Sequence, residues 1–344
     1  MVEVVVIGGG QSGLAAAYAV KVAGGSPVVM EAGERSTGSW AGYYDSLRLF
    51  SPARYSALPG LAFGGDPDRY PRRDEVVAYL ARYAEWLGVE IRTGQRVEKI
   101  VAGAGGFEVA VAGGERVSAR RVIAATGGFG APYRPALPGL DRFAGSVVHA
   151  AEYRIPEPYA GKRVVVVGAG NSAVQIAHEL ASEARVTLSS RKPVRFVKQR
   201  PLGRDVHWWW SVTGVDRAPV GRWLPKQFST PVLDGGTYRA AIAAGRPDRR
   251  PMFTDLDGDM VTWSDGGRER VDALILATGY RPGLGYLEAM GALDVEGFAR
   301  HRSGLSTTHP GLGFVGLEWQ RSLSSATLRG VGRDARYVVR RLGR

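Results

Sequence analysis

The hydrophobic pattern at the amino terminus predicts a strand, a tight turn and a helix. Residues 4–7 form an unbroken apolar run, residues 8–13 are glycine and small polar residues, and residues 14–18 have an alanine-rich, helix-forming sequence. A further apolar run at residues 27–30 ends in Glu31. This order of elements is typical of the first βαβ unit of a dinucleotide-binding domain.

The same pattern returns near the middle of the chain. Residues 163–180 repeat the strand, the glycine-containing turn and the helix. The next apolar run, residues 185–188, is followed by two serines and then by Arg191 and Lys192 instead of an acid. The sequence therefore predicts a second dinucleotide site with a different chemistry at the end of its second strand.

Three further patterns place other elements. A helix is predicted from an N-cap at Asp74 to a stop at Gly88. Apolar runs within residues 122–127 and 274–280 each open into a glycine turn, as expected where a chain crosses between domains. A last helix is predicted after Ser325, with its amino terminus free to face a cofactor.

Each glycine of the first turn has a predicted task. Gly8 permits the tight turn, Gly10 lets the backbone approach a pyrophosphate, and Gly13 lets helix and strand pack closely. The helix amino terminus supplies free N–H groups and partial positive charge to the phosphates. Glu31 can accept hydrogen bonds from a ribose hydroxyl, so FAD and NAD both fit this first site.

The second site favours a phosphorylated nucleotide. A carboxylate at the end of its second strand would repel a 2′-phosphate, whereas Arg191 can pair with one through its planar fork and Lys192 adds a point charge. The sequence therefore predicts NADPH at this site, although both side chains also suit a plain solvated surface.

Composition and length bound the possible classes of protein. The 344 residues, 44% of them hydrophobic and 23% charged, predict a folded chain of about two domains. No cysteine is present, which excludes a disulfide framework, a thiolate metal cluster and a redox-active dithiol. The five histidines show no spacing typical of metal ligands.

Charge and targeting signals narrow the expected partners and location. The net charge of +12 attracts anions, but the basic residues are scattered and accompany no recognition motif, so nucleic-acid binding is not expected. No apolar stretch reaches the ~18 residues of a membrane span, and no secretion signal precedes the first strand. The expected compartment is the cytoplasm, with no membrane partner.

Several segments together resemble the flavin-containing monooxygenase family, particularly its short bacterial branch. The segments are Gly-Ser-Trp at 38–40, Tyr-Asp-Ser-Leu-Arg-Leu-Phe-Ser-Pro at 44–52 and Ala-Thr-Gly-Tyr at 277–280. Residues 143–154 match the family signature FxGxxxHxxx(F/Y), with Arg154 where Lys or Pro is usual. The resemblance covers nearly the whole chain except about residues 195–250.

The resemblance implies an α/β fold with two Rossmann-like dinucleotide-binding domains, the NADPH domain being inserted into a discontinuous FAD domain. The predicted limits are 1–155 for the first part of the FAD domain, 156–270 for the NADPH domain and 271–344 for the second part of the FAD domain. Within the NADPH domain, an aromatic and basic insertion is predicted at about 195–250.

The predicted site residues follow from the motifs and the resemblance. Trp40 is expected to lie against one face of the flavin. Ser51, or a backbone group near it, is expected to make the hydrogen bond that an Asn makes at this segment in eukaryotic members. The alternative for Ser51 is a simple turn residue before Pro52. The predicted cofactor-binding residues are Gly8, Gly10, Gln11, Ser12, Gly13, Glu31, Ala32, Ser39, Trp40, Phe50, Val97, Thr126, Gly127, Gly168, Gly170, Asn171, Ser172, Arg191, Lys192, Thr278, Gly279 and Thr327.

The implied activity is an NADPH- and FAD-dependent monooxygenase. By resemblance, NADPH reduces FAD, oxygen adds as a C4a-(hydro)peroxyflavin, and this species oxygenates a soft nitrogen or sulfur atom of a small molecule. Alternatives are a flavin-dependent NAD(P)H reductase or electron-transfer protein, Baeyer–Villiger oxygenation of a ketone, and a non-catalytic dinucleotide sensor. His149, within the signature, is expected to hold a loop through hydrogen bonds.

One stretch has several open interpretations. The predicted insertion contains Trp208, Trp209, Trp210 and Trp223 among many arginines. Such a cluster suits a small satellite core, a substrate entrance, an anionic surface or a subunit interface, and a homodimer is therefore one of the expected assemblies.

Overall fold

Two sheets with parallel centres organise the chain in a computed structural model that describes residues 1–221 and 231–342. The predicted α/β fold class is confirmed. The strands in chain order are β1 (Val2–Ile7), β2 (Pro27–Met30), β3 (Glu90–Arg92), β4 (Val97–Gly103), β5 (Gly106–Val111), β6 (Arg116–Ala124), β7 (Ala131–Pro132), β8 (Ser146–His149), β9 (Arg163–Val167), β10 (Arg185–Ser190), β11 (Phe196–Lys198), β12 (Val232–Asp234), β13 (Asp248–Pro251), β14 (Asp255–Asp257), β15 (Met260–Thr262), β16 (Arg268–Arg270), β17 (Ala273–Leu276), β18 (Tyr280–Arg281), β19 (His301–Arg302), β20 (Leu305–Ser306) and β21 (Leu312–Phe314).

Helices cover these sheets. The α-helices are α1 (Gln11–Val22), α2 (Arg73–Leu87), α3 (Asn171–Leu180), α4 (Val206–Thr213), α5 (Thr237–Ala243) and α6 (Leu328–Leu342). Short 3-10 helices occur at Gly38–Gly42, Ala53–Tyr55, Leu140–Arg142, Glu157–Tyr159, Pro201–Gly203, Val215–Arg217 and Gly285–Met290. Among the described residues, none of the helices combines the length and the apolar character needed to cross a membrane.

The first sheet has β1 at its centre. Its order is β19-β20-β21-β6-β1-β2-β3, and β1 pairs in parallel with both β2 and β6. Apolar residues of α1, α2 and α6 pack on one face, while the β4–β5 hairpin and the Gly285–Met290 turn cover the other. Because both faces are covered, the whole run Val4 to Ile7 is buried, as is typical of a central parallel strand.

The second sheet is entirely parallel, in the order β13-β10-β9-β17-β8. Buried residues of α3 pack on one face, and the three-stranded β14–β16 sheet packs on the other. In the chain this sheet lies between β6 and β19, so the second dinucleotide unit is inserted into the first.

The limits of the second sheet differ from the predicted NADPH domain of residues 156–270. The sheet runs from Ser146 in β8 to Leu276 in β17, and these strands pair directly, with Ser146 opposite Ala273. The pairing joins residues that are far apart in sequence, so no local pattern assigns β8 to the inserted unit.

The two predicted crossing points lie side by side. β7 and β18 form an antiparallel pair just beyond the two glycine turns. Gly127 and Gly279 both have positive φ, 76° and 88°, which glycine adopts without strain. The chain therefore leaves and re-enters the first unit at one place.

The start of α2 corrects one prediction. The helix begins at Arg73 with Arg72 as its N-cap, so the prediction of an N-cap at Asp74 was wrong by two residues. Glu75, at the third position of the helix, reaches back instead, and its Oε2 accepts the N–H of the N-cap residue Arg72 at 2.8 Å. The predicted stop is confirmed, because Gly88 follows the helix in the left-handed conformation.

The predicted insertion packs against the end of the chain. Its three consecutive tryptophans, Trp208 to Trp210, lie on α4, whereas Trp223 lies outside the described residues. Asp216 in the same segment is 1% exposed and pairs with Arg329 of α6, with Nη2 and Oδ2 2.8 Å apart. Arg333, one turn further along α6, adds a longer contact of 3.4 Å to the same carboxylate oxygen.

Candidate active site

A single cavity of about 1860 Å³ is lined by residues of both glycine turns. Its volume is well above the roughly 300–1,000 Å³ of a typical small-ligand pocket, as two dinucleotides would require. Every predicted site residue except Gly13 lines this cavity. Their roles in binding stay predictions, but the fold gathers them along one surface.

Gly13 lies beneath the first turn instead. A Cβ atom on Gly13 would stand 1.6 Å from the carbonyl oxygen of Gly8, so only glycine allows α1 to approach β1 this closely. Gly8 has φ of 98° and donates its N–H to the Met30 carbonyl at 2.8 Å. These contacts hold Gly10, the N-cap of α1, at the cavity wall.

Glu31 stands at the end of β2 and reaches back over the first turn. Its Oε2 accepts the Gly9 N–H at 2.5 Å and its Oε1 accepts the Gly33 N–H at 2.7 Å. The side chain is largely buried but lines the cavity. The carboxylate therefore lies beside the glycine turn, where a ribose hydroxyl is predicted to bind.

Gln11 connects the first turn to two other walls of the cavity. Its Oε1 accepts the Trp40 Nε1–H at 3.1 Å, and its Nε2 donates to the Ala326 carbonyl at 2.7 Å. Ala326 immediately precedes Thr327, and α6 begins at the next residue, Leu328. One side chain thus orients Trp40 and fixes the approach to the last helix.

The second glycine turn leaves open space above it. Gly170 is the N-cap of α3, and a Cβ atom there would meet no protein atom within 4 Å among the described residues. The first residues of α3, Asn171 and Ser172, line the same space. This turn fits a pyrophosphate, because a bound group and not the protein would occupy the position of the missing side chain.

Arg191 and Lys192 follow β10 directly and line the cavity with exposed side chains. The Ser190 hydroxyl donates to the Lys192 carbonyl at 2.7 Å, which fixes the backbone at this strand end. Because β9 and β10 are parallel, the two cations lie at the same edge of the sheet as the second glycine turn. This is where the 2′-phosphate of NADPH is predicted to bind.

His149 holds the crossing between the two units. The ring is fully buried, its Nδ1 accepts the Ala151 N–H at 3.1 Å, and its Nε2 therefore donates to the Gly279 carbonyl at 3.0 Å. Burial lowers the pKa of His149, which keeps the ring neutral. This is the loop-holding role expected for this residue.

Phe50 and Ser51 lie on a wall that is fixed by side chains from elsewhere. The Ser51 hydroxyl is 2.9 Å from the Ser56 hydroxyl, and the Phe50 carbonyl accepts the Gln199 Nε2–H at 3.1 Å. The Phe50 ring stacks on His207, with ring centroids 6.1 Å apart. The predicted catalytic position therefore has a histidine neighbour.

His207 and its partner Asp205 are not among the site residues predicted from the sequence. Asp205 caps α4 by accepting the backbone N–H of His207 at 2.8 Å, and it also accepts the ring Nδ1–H at 2.7 Å. An Asp immediately before a helical run is a recognisable N-cap signal, but its second hydrogen bond, to the His207 ring, has no local sequence signal.

Arg329 is a second feature that sequence reasoning missed. Its guanidinium lines the cavity, pairs with buried Asp216, and lies 5.6 Å from the centre of the Trp210 ring. The insertion therefore contributes an aromatic wall to the cavity and fixes a cation of α6 beside it.

Each of the two sheets carries a glycine turn at a helix amino terminus, and both turns line one cavity. This arrangement is typical of proteins with two dinucleotide-binding domains. The model of the pyridine nucleotide-disulphide oxidoreductase family matches residues 5–207. Because the chain has no cysteine, the dithiol chemistry in that family's name does not apply to it.

Comparisons with known proteins narrow the class. The flavin-containing monooxygenase from Stenotrophomonas maltophilia superposes with a TM-score of 0.88 at 33% identity, over 99% of this chain and 98% of that one. An uncharacterized CzcO-like oxidoreductase of Geobacillus kaustophilus is 34% identical over 98% of this chain and 97% of its own. The indole-3-pyruvate monooxygenase YUCCA1 of rice is 32% identical over 80% of this chain and 76% of its own.

The chain belongs to the flavin-containing monooxygenases of the pyridine nucleotide-disulphide oxidoreductase family. The resemblance inferred from the sequence motifs is thereby confirmed, and the chain is a flavin-dependent oxidoreductase. Monooxygenases of this type use FAD and NADPH, and the two turns, Glu31, and Arg191 with Lys192 fit these groups.

Proposed function

We propose that this enzyme is an NADPH-dependent monooxygenase that oxygenates a soft nitrogen or sulfur nucleophile of a small molecule. The bound flavin would supply the redox chemistry, accepting a hydride from NADPH and then carrying oxygen as the C4a-(hydro)peroxide. The observation that supports the proposal is the continuous cavity shared by both predicted dinucleotide sites. The nicotinamide ring of NADPH and the isoalloxazine ring of FAD could then come into contact within one cavity.

The residues of the chain have positioning roles in this proposal. The amino termini of α1 and α3 would hold the two pyrophosphates, and Arg191 would pair with the 2′-phosphate. Trp40 would cover one side of the flavin and exclude water, since the oxygen-carrying flavin decays wastefully when water reaches it. Ser51 is the proposed hydrogen-bonding group near the reacting atoms.

The amino terminus of α6 has an electrostatic role. Thr327 lines the cavity at the start of this 15-residue helix, where unpaired N–H groups carry partial positive charge. Such a terminus would stabilise the negative charge of a reduced flavin.

Product analysis tests this function. The purified holoenzyme, NADPH and isotopically labelled oxygen are incubated with amines, sulfides and thiols, and the products are examined by mass spectrometry. We expect one labelled oxygen atom on nitrogen or sulfur, with NADPH consumption matching product. NADPH consumption that yields only hydrogen peroxide with every compound would instead support a reductase.

Carbonyl oxygenation is the second candidate. The observation that favours it is the similarity to the rice enzyme, whose name gives a 2-oxo acid as its substrate. Ketones and aromatic 2-oxo acids therefore belong in the same panel. An ester, or an acid shortened by one carbon, would replace the first proposal with this one.

A further inference from the structure

The carboxylate of Asp205 accepts four hydrogen bonds and contacts His207, which lines the cavity. Two come from the backbone and ring of His207, one from Gln199 Nε2 at 2.7 Å, and one from the Tyr70 hydroxyl at 2.5 Å. Burial alone would raise the pKa of Asp205, but these hydrogen bonds outweigh it and hold the pKa at about 2. Asp205 is therefore an anion at neutral pH.

This anion fixes the tautomer of His207. An ionised carboxylate can only accept hydrogen bonds, so Nδ1 of His207 must carry the proton that Asp205 receives. Burial lowers the pKa of His207, Asp205 and Asp216 oppose that shift, and the positive charge of Arg329 adds to it, so the ring is neutral at neutral pH. Its Nε2 atom therefore presents a lone pair, and no hydrogen-bond donor contacts it among the residues that the structure describes.

Aromatic rings hold the imidazole rigidly. The rings of Phe50 and Tyr55 stack on it, each with its centroid 6.1 Å away, and Trp210 meets it edge to face at 4.9 Å. His207 is 1% exposed, yet it lines the cavity with Phe50 and Ser51. A rigid neutral base therefore lies beside the wall where the reaction is proposed to occur.

We propose that His207 is the base that deprotonates the substrate's nucleophilic atom, and that Asp205 positions it. The substrate class that needs this base is a protonated amine or a thiol, whereas a sulfide has no proton to lose and reacts without it. This proposal rests on the proposed function, because it concerns the atom that is to be oxygenated.

The step is a proton transfer. The N–H bond of an ammonium, or the S–H bond of a thiol, breaks and its electron pair stays on nitrogen or sulfur as the nucleophilic lone pair. The proton passes to Nε2, and the resulting imidazolium faces the Asp205 carboxylate. The arrangement resembles a general base oriented by a buried acid.

A first experiment tests the tautomer without any turnover. Isotope-labelled histidine is introduced into the holoenzyme, and the two nitrogen resonances of each ring are recorded by NMR at neutral pH. The His207→Asn variant assigns the His207 signals. We expect a proton on Nδ1 and none on Nε2, opposite to His149, whose Nδ1 accepts a hydrogen bond. A proton on Nε2 of His207 would overturn the proposal.

A second experiment compares benzylamine, which is an ammonium at neutral pH, with benzyl methyl sulfide, which has no proton to lose. The readout is the ratio of kcat/KM for the amine to that for the sulfide. In His207→Asn this ratio should fall by about 100-fold, the usual contribution of a positioned general base. His309→Asn, on a loop outside the cavity lining, is the control and should leave the ratio unchanged.

The Asp205→Asn variant keeps the proposal testable if His207→Asn does not fold. It preserves shape but removes the charge that faces the imidazolium, so the same ratio should fall, by less than in His207→Asn. A ratio that stays at the wild-type value in both variants would overturn the role of His207. If wild type oxygenates neither probe while the tautomer is as expected, the proposed function has failed instead.

Discussion

The hydroxyl of Tyr44 donates a hydrogen bond to Oε1 of Gln175 at 2.7 Å, joining positions 131 residues apart. Tyr44 follows the Gly38–Gly42 turn of the first unit, whereas Gln175 lies on α3 of the second. Tyr44 is buried within the apolar cluster of α3 and the second sheet. The hydrogen bond thereby ties a loop that is predicted to lie beside the flavin to the helix that is proposed to bind NADPH.

Removing this bond should slow hydride transfer and leave flavin binding intact. In Tyr44→Phe the ring still packs, but one hydrogen bond of about 0.5–1.5 kcal/mol is lost, which corresponds to about a two- to tenfold lower rate of flavin reduction. Stopped-flow absorbance without oxygen measures this rate. Tyr159→Phe is the control, because the Tyr159 hydroxyl has no hydrogen bond to any part of the chain that the structure describes; equal effects in both variants would contradict the prediction.

Because of the open space above Gly170, we expect a variant at this position to weaken only nucleotide binding. Gly170→Ala places a methyl group where no described protein atom lies within 4 Å, so the melting temperature and flavin content should stay unchanged. NADPH should bind worse by about 1–3 kcal/mol, the typical cost of forcing a methyl group into filled space. Titration of NADPH measures the loss.

Gly13→Ala is the matched contrast to that variant. Its methyl group would stand 1.6 Å from the Gly8 carbonyl oxygen, so the protein itself must distort. We expect loss of bound flavin and a lower melting temperature. A well-folded yellow Gly13→Ala protein would contradict the described packing of the first turn.

Coenzyme choice should depend on Arg191. Arg191→Ala removes a charge-assisted hydrogen bond of about 1.5–3 kcal/mol to the 2′-phosphate, so the KM for NADPH should rise about ten- to hundred-fold while that for NADH stays the same. Arg185→Ala is the control, because Arg185 is an exposed arginine at the opposite end of the same strand β10. Parallel changes with both coenzymes would count against a 2′-phosphate contact.

The flavin potential should respond to charge at Thr327. Thr327→Asp adds a carboxylate to the cavity wall at the start of α6, which opposes the negative charge of the reduced flavin. The midpoint potential should become more negative by about 20–40 mV, since ~30 mV corresponds to ~1.4 kcal/mol for a two-electron couple. The neutral Thr327→Asn variant should keep the wild-type potential; a shift of equal size there would exclude an electrostatic cause.

The sequence predicted correctly the features that a few adjacent residues determine. The two glycine turns and the stop at Gly88 each follow from a few adjacent residues with a restricted backbone or a fixed period. The start of α2 was misplaced because Asp74 is a typical N-cap residue, whereas the actual N-cap, Arg72, is not. The hydrogen bond from the Arg72 N–H to the Glu75 carboxylate becomes evident only in the folded chain.

The remaining features depend on contacts between distant residues. The Ser146–Ala273 pairing assigns β8 to the second sheet, and the Tyr70 and Gln199 contacts turn Asp205 from an ordinary helix cap into the centre of a network. Neither contact can be recognised from the periodicity or the composition of the sequence. The family resemblance supplied the cofactors, but the histidine beside Phe50 required the packed structure.

The ion pairs of Asp216 have a mechanical consequence. Asp216, in the segment that follows the second glycine-turn unit, pairs with Arg329 and Arg333 on α6, the final helix, which packs on the first sheet. Swinging one unit away from the other would expose this buried carboxylate, so the two units should tumble as a single rigid body. Small-angle scattering curves recorded with and without NADP⁺ should then superimpose. The nucleotide would therefore enter a cleft whose width does not change on binding.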